Sequence, residues 1–246
     1  MILLFDVGNT SIYTGVGKNG EILSTFRLNT DLNKTPDEYY LTIKEFVKPE
    51  EVTGIIIGSV VPQVTLSLIK IAEKYFKINP VIIQPGVKTG VMIKTDNPRE
   101  VGADLIADAA GVETNDSTLI IDLGTANKFI YVKNKTITGV IIAPGIHLSI
   151  KALAGNTALL HEVEVKAPSK YLGNNTVNCI QSGVIYGTVT MIEGMVGRIK
   201  EEVKEDFKII LTGGLSRLIQ EYLRLELIRD SRLVLKGLLN IYQKNQ

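Results

Sequence analysis

Three aspartates stand where solubility alone does not explain them. Asp6 and Asp122 each end an apolar run, in "LLFDVGNT" and "LIIDLGTA", and Asp104 follows a Gly-Ala step in "PREVGADLIADAAG". A carboxylate at the end of a buried strand is costly unless a cation or hydrogen-bond donors accompany it. Gly8 and Gly124 let the backbone approach an anion closely. The turn N–H groups, with the side chains of Asn9, Thr10 and Thr125, can form anion nests. Two such turns would grip a polyphosphate and its Mg2+. The plainer alternative is a pair of hairpin turns with solvated aspartates. Repetition of the pattern, and a third glycine turn at "LTGG" (Leu211–Gly214), favour the anion site. Asp104 opens an apolar helical pattern, where it is either a helix cap, worth about 1 kcal/mol, or a general base on a rigid element. Asp108, one turn on, falls on the same face.

The elements that must hold these residues come in an internal echo. Residues 3–22 and 119–137 each read as an apolar strand, Asp-x-Gly, a small polar turn, a second strand, a Lys-Asn turn and a third strand. Val, Ile and Leu enrichment with Lys-Asn turns fits a β-meander. Two copies opening the two halves of a chain indicate a duplicated domain, with a boundary near Asn115-Asp116-Ser117 that separates domains 1–115 and 116–246. In the first half "DEYYLTIKEFV" reads as an amphipathic helix, "TGIIIGSVV" as a buried strand, "PQVTLSLIKIAEKYF" as a helix and "PVIIQPG" as a short strand. The second half repeats the logic with helix "GIHLSIKALAGNTALL", the long helix "NCIQSGVIYGTVTMIEGMVGRIKEEVKE", strand "KIILTGG" and short helical segments to the end. Strands with covering helices define an α/β protein.

Composition narrows the classes. With 246 residues, 45% apolar and 22% charged, the chain is that of a globular protein. A net charge of +1 and the absence of a basic stripe or reading helix argue against nucleic-acid binding. No apolar run is long enough to span a bilayer and "MILLF" is too short for a signal peptide, so a cytoplasmic location is expected. Cys179 is the only cysteine, which excludes an intramolecular disulfide. His147 and His161 lack ligand-spaced neighbours and read as surface or capping residues. "GVGKNG", Gly15–Gly20, matches a dinucleotide fingerprint literally, but it joins two strands and not a strand to a helix, so it is rejected.

The ordered set "DVGNT" (Asp6–Thr10), "SVVP" (Ser59–Pro62), "DNPREVGAD" (Asp96–Asp104), "DLGTA" (Asp122–Ala126), "APG" (Ala143–Gly145), "GNNTVNCIQSGVIYG" (Gly173–Gly187), "TGGL" (Thr212–Leu215) and "LKGL" (Leu235–Leu238) resembles the type III pantothenate kinases of the acetate and sugar kinase/Hsp70/actin superfamily. The likeness runs over nearly the whole chain. It implies two duplicated actin-like (ribonuclease H-like) ATPase domains with an inter-domain cleft for ATP, dimerising through the second domain. It implies ATP-dependent phosphorylation of pantothenate to 4'-phosphopantothenate, the first step of coenzyme A biosynthesis. Asp6, Val7, Gly8, Asn9, Thr10, Ser11, Ile12, Tyr13 and Thr125 would hold ATP phosphates, with Asp6 reaching Mg2+ through water. Asp122 would be the ligand of a monovalent cation, K+ or NH4+. Asp104 would take the proton of the pantothenate hydroxyl within a substrate site of Gly102, Ala103, Asp104 and Leu105, and Thr176 would reach into the partner's site across a dimer.

The departures cluster on the substrate side. The family's arginine after Gly-Ala-Asp is Leu105, a tyrosine common before Asp-Asn-Pro is Thr95, and two threonines usual after Gly-Thr-Ala are Asn127 and Lys128. Loss of one charge-assisted hydrogen bond is worth about 1.5–3 kcal/mol. Lys128 is a candidate replacement cation for the substrate carboxylate. Besides a self-sufficient homodimeric pantothenate kinase, the pattern admits a subunit completing a paralogous partner's site through Thr176, a kinase for another small alcohol, and a nucleotide-binding regulator. Gly183, Gly187, Gly194 and Gly197 of the long helix allow close helix approach, at a subunit interface or in packing within the domain.

Overall fold

The computed structural model describes residues 1–246. They form two compact units: unit 1 comprises Met1–Asn115, Val132–Gly139 and Arg232–Gln246, and unit 2 comprises Asp116–Tyr131 and Val140–Ser231. Chain order runs β1 (Ile2–Val7), β2 (Ser11–Lys18), β3 (Glu21–Asn29), α1 (Pro36–Ile43), β4 (Gly54–Ser59), α2 (Pro62–Ile71), β5 (Val81–Ile82), β6 (Met92–Ile93) and α3 (Ala103–Gly111). It continues with β7 (Thr118–Leu123), β8 (Ala126–Lys133), β9 (Thr136–Pro144), α4 (Ile146–Asn156), α5 (Thr176–Val203), β10 (Lys208–Thr212), α6 (Ser216–Gln220), β11 (Ile228–Arg229) and α7 (Leu233–Lys244).

In unit 1 the sheet order is β3-β2-β1-β4-β5. The β1–β2 and β2–β3 pairs are antiparallel, while β4 joins β1 and β5 joins β4 in parallel. Asn19 (φ 53°) and Gly20 (φ 85°) both take left-handed backbone, which makes the tight turn from β2 to β3 possible. The period of two sends alternate residues to opposite faces. Leu3, Phe5, Val7, Ile55 and Ile57 pack with Tyr39 and Ile43 of α1 and Leu68 of α2. Leu4 and Ile56 pack on the other face with Ala103 and Ala107 of α3 and Leu235, Leu238 and Leu239 of α7. Fully burying an aliphatic side chain stabilises by about 1.5–3 kcal/mol, so each face contributes heavily.

Helix α1 starts at a capping box, with the Thr35 hydroxyl accepting from the Glu38 N–H and the Glu38 carboxylate accepting from the Thr35 N–H. It ends at Ile43, short of the apolar pattern that runs to Val47. There Glu45 and Phe46 donate to Thr42 and Ile43, tightening the last turn before Pro49. Helix α2 continues through a π-helical turn at Ala72–Phe76 and stops at Lys77 in left-handed conformation.

The second sheet has six strands in the order β11-β10-β7-β8-β9-β6; its first five repeat the order of the first sheet, with β10 parallel to both β7 and β11, and β6 adds in parallel to β9. Those five are the same meander plus two parallel strands, so the echo in the sequence is a duplication of topology. Its core joins Leu119, Ile121 and Phe129 with Ile146 of α4, Ile185 and Ile192 of α5 and Ile219 of α6.

By chain position α7 belongs to the second half, yet it packs in unit 1. Gly54 makes that possible, because a Cβ there would overlap the Tyr242 hydroxyl. Gly237 of α7 lies against the Ala107 carbonyl of α3, and Gly111 of α3 lies against the Leu233 carbonyl, so the two helices meet backbone to backbone.

Candidate active site

Unit 1 carries the first glycine turn. Beyond β1 the Gly8 N–H donates to the Ser11 carbonyl at 3.0 Å, closing the turn on itself. Asn9 and Thr10 are exposed at its tip, Asp6 is half-buried behind it, and Ile12 and Tyr13 are buried. Those last two can therefore offer an anion little beyond backbone. The turn is anchored by Thr30, whose hydroxyl donates to the Gly8 carbonyl at 2.6 Å and whose N–H donates to the Thr10 carbonyl at 3.1 Å. Thr30 escapes sequence reasoning because it lies at the far end of β3. Thr30→Val keeps the shape and the N–H but removes the hydroxyl bond, worth about 0.5–1.5 kcal/mol. With the turn holding ATP, as the resemblance implies, a rise in the KM for ATP of about three- to tenfold is expected from that loss. Unchanged steady-state ATP kinetics would show that Thr30 does not set the turn.

Cross-strand register aligns Asp6 with Tyr13 and Tyr13 with Arg27. The Arg27 guanidinium sits 3.9 Å from the Tyr13 ring centroid, a cation–π pair on the strand row shared with Asp6. Arg27 is a second residue that motif reading does not single out.

Asp104 is the second residue of α3, not its cap; Gly102 takes the cap position without a side-chain bond. The carboxylate folds back over Gly102, so that a Cβ at 102 would overlap Asp104 Oδ1. This accounts for the Gly-Ala-Asp spacing. The carboxylate also lies in the first helical turn, where the macrodipole favours negative charge. Ala103 and Leu105 are buried, at 8% and 7% exposure. The position where the resemblance expects an arginine therefore faces inward here. Asp108 is buried as well. Thr95 Oγ1 is buried with no hydrogen-bond partner within the chain.

Unit 2 carries the second turn. The Gly124 N–H donates to the Ala126 carbonyl, and the Gly145 N–H donates to the Thr125 carbonyl at 3.1 Å. Gly145 packs so tightly on Gly124 and Thr125 that a Cβ would overlap the Gly124 carbonyl. Asn127 is buried and donates from Nδ2 to the Pro144 carbonyl at 3.2 Å. Asn127 thus ties the turn to the Ala-Pro-Gly loop. Lys128 places its ammonium 2.6 Å from Asp122 Oδ2, with the two side chains 14% and 15% exposed. The third glycine turn closes on the same carboxylate: Gly213, at φ 91°, leaves 2.5 Å between a would-be Cβ and Asp122 Oδ1. Lys128 therefore forms a close ion pair with Asp122.

Thr176 is exposed at the first position of α5, behind the Asn175 cap that accepts from the Asn178 N–H at 2.9 Å. Gly183, Gly187, Gly194 and Gly197 are exposed, and a Cβ at any of them would meet nothing within 4 Å. They do not serve packing within the domain.

Two copies of a meander with parallel strands, each with a glycine turn behind a strand-end aspartate, define an actin-like phosphotransferase fold. The solved structures agree at the level of fold. One is a Campylobacter jejuni protein described as a Baf family transcriptional activator, with TM-score 0.65, 20% identity, and 99% of this chain and 98% of that one covered. Another is the inorganic polyphosphate/ATP-glucomannokinase of Arthrobacter sp. strain KM, with TM-score 0.51, 15% identity, and 99% and 98% covered. The family model for type III pantothenate kinase matches residues 2–198. A type III pantothenate kinase of Acholeplasma laidlawii is 68% identical over 245 residues, covering 100% of this chain and 99% of that protein. This chain belongs to the type III pantothenate kinase family. No helix is long and apolar enough to cross a membrane.

Proposed function

We propose that Asp104 is the general base of this pantothenate kinase and that the two glycine turns hold its ATP. The enzyme phosphorylates pantothenate at the expense of ATP, as its family does. The observation that carries the assignment of the base is the placement of Asp104 in the first turn of α3, folded over Gly102. Its carboxylate accepts the hydroxyl proton as the pantothenate oxygen bonds to the γ-phosphorus, the bond to the bridging oxygen breaks, and ADP leaves. Such a transfer relies on positioning and charge neutralisation more than on covalent help from the protein. The backbone N–H groups at the exposed tip of the first turn, Asn9 and Thr10, with the Asn9, Thr10 and Ser11 side chains and Thr125, bind phosphate oxygens, on a frame set by Asp6, Val7 and Gly8 and by Ile12 and Tyr13. Gly102 shapes the substrate side through its backbone, with Ala103 and Leu105 packed inward behind it.

Asp6, half-buried at the strand end behind the turn, suits a water-mediated place beside Mg2+. When bound there, Mg2+ would supply neutralisation of phosphate charge. The K+ or NH4+ implied at Asp122 finds that carboxylate already engaged by Lys128. We place the enzyme in the cytoplasm as a homodimer, with the open glycine face of α5 as the contact and Thr176 serving the partner's site. The exposure of Leu159 and Leu172, both 89%, and Tyr171, 70%, marks an apolar surface on the same unit.

The test is ADP release by the purified full chain with Mg-ATP, with and without pantothenate, alongside mass detection of 4'-phosphopantothenate. Pantothenate-dependent ADP release with matching product is expected. Equal release in both arms would overturn the reading.

A further inference from the structure

We propose that the Lys128 ammonium is a built-in replacement for the monovalent cation, so that this kinase works without potassium or ammonium. The inference rests on the kinase reading above and concerns the second turn alone.

Asp122 Oδ2 holds Lys128 Nζ at 2.6 Å. The separation is that of a strong charge-assisted hydrogen bond. Oδ1 lies close to Gly213, where an added Cβ would come within 2.5 Å of it, so the third glycine turn crowds the same carboxylate. Both side chains are about six-sevenths buried, so water screens the pair little. A free cation entering here would meet an ammonium of like charge on a carboxylate already neutralised.

The strand keeps the lysine in place. Its neighbours Asn127 and Phe129 are each 1% exposed, and Asn127 is bonded to the Pro144 carbonyl. Alternation along β8 turns Lys128 to the opposite face from both, toward the end of β7. An ammonium carries three N–H donors, so its charge is held in place by more than one contact. It supplies one positive charge beside the phosphate turn, as a bound potassium ion would. Occupancy of a free ion follows its concentration; the lysine is present at any salt composition.

The experiment uses the full chain with Mg-ATP and pantothenate in buffer free of K+ and NH4+. KCl or NH4Cl is titrated against NaCl at constant ionic strength. Wild type is expected to hold its rate within about twofold across the titration, and its melting temperature is expected not to respond to K+ specifically. Lys128→Ala is expected to lose about ten- to a hundredfold in K+-free buffer, the cost of a charge-assisted contact, and to regain activity saturably with K+. Lys128→Thr, which offers a hydroxyl to the ion, is expected to do the same and guards against a folding defect in the alanine variant. Melting curves give a readout independent of turnover: both variants are expected to gain a saturable K+-dependent stabilisation that wild type lacks. A wild-type rate or melting temperature that rises saturably with K+ would overturn the proposal. So would variants that stay insensitive to K+ in both readouts. Absence of pantothenate-dependent ADP release in every buffer would sink the kinase reading instead, and the melting curves would still decide the role of Lys128.

Discussion

Replacement of Asp104 by asparagine is expected to lower kcat for pantothenate phosphorylation by about 10²–10⁴-fold, the usual contribution of a positioned general base. The substitution keeps the size of the side chain, so the packing over Gly102 and the start of α3 persist. The amide cannot accept the hydroxyl proton. It also forfeits a charge–dipole contribution at the helix start of about 0.3–1 kcal/mol, too small to unfold the unit. ATP binding is expected to survive, because bonds from Thr30 and to Ser11 anchor the glycine turn after β1. The decisive comparison is kcat with melting temperature and ATP affinity measured on the same preparation. A kcat within tenfold of wild type would remove Asp104 from the role of base.

Gly237→Leu is expected to have the largest effect on stability. A Cβ at Gly237 already overlaps the Ala107 carbonyl and comes within 2.9 Å of the Gly111 nitrogen. The obstacle is backbone on a buried helix, which cannot swing aside as a side chain tip does. Overpacking a core costs about 1–3 kcal/mol and more where backbone must shift, so a loss of about 3 kcal/mol or greater is expected. In a chain of this size that corresponds to roughly 6–12 °C in melting temperature. Turnover is expected to fall with it, because Ala107 lies one turn beyond Asp104 and a displaced α3 carries the carboxylate away. A misplacement of about 1 Å at the reacting centre can cost on the order of 100-fold in rate. A thermal melt matching wild type would show that α3 and α7 can separate without penalty.

The fold was legible where local pattern and topology agree. Apolar strands broken by Asp-x-Gly and Lys-Asn turns specify a meander, and the repeated meander carries the duplicated sheet order. The positions of Asp6, Asp104 and Asp122 at strand or helix ends were legible for the same reason. Long-range packing was not. The apolar period of α7 shows that it has a buried face but not which sheet buries it; the answer lies in Gly54 and Gly237, whose bare backbones accept it. Lys128 reads as a cation in the site, yet its partner depends on how far β8 runs back along β7, which periodicity does not state. Leu105 reads as a lost substrate contact, and its burial shows the position turned inward. The glycines of α5 are compatible with internal or external packing until the structure shows them open.

The return of α7 to unit 1 has a consequence for biosynthesis. Strands β1, β2 and β4 leave the ribosome early, but the helix that covers Leu4 and Ile56 is translated more than 170 residues after Ile56. Until then one face of the first sheet, and the side of α3 bearing Ala107, lacks its cover. The nascent first half is thus a candidate client for chaperones, since apolar surface exposed in this way promotes aggregation. A chain interrupted before residue 233 would carry every phosphate-turn residue and Asp104, and still lack the helix that holds α3 in place.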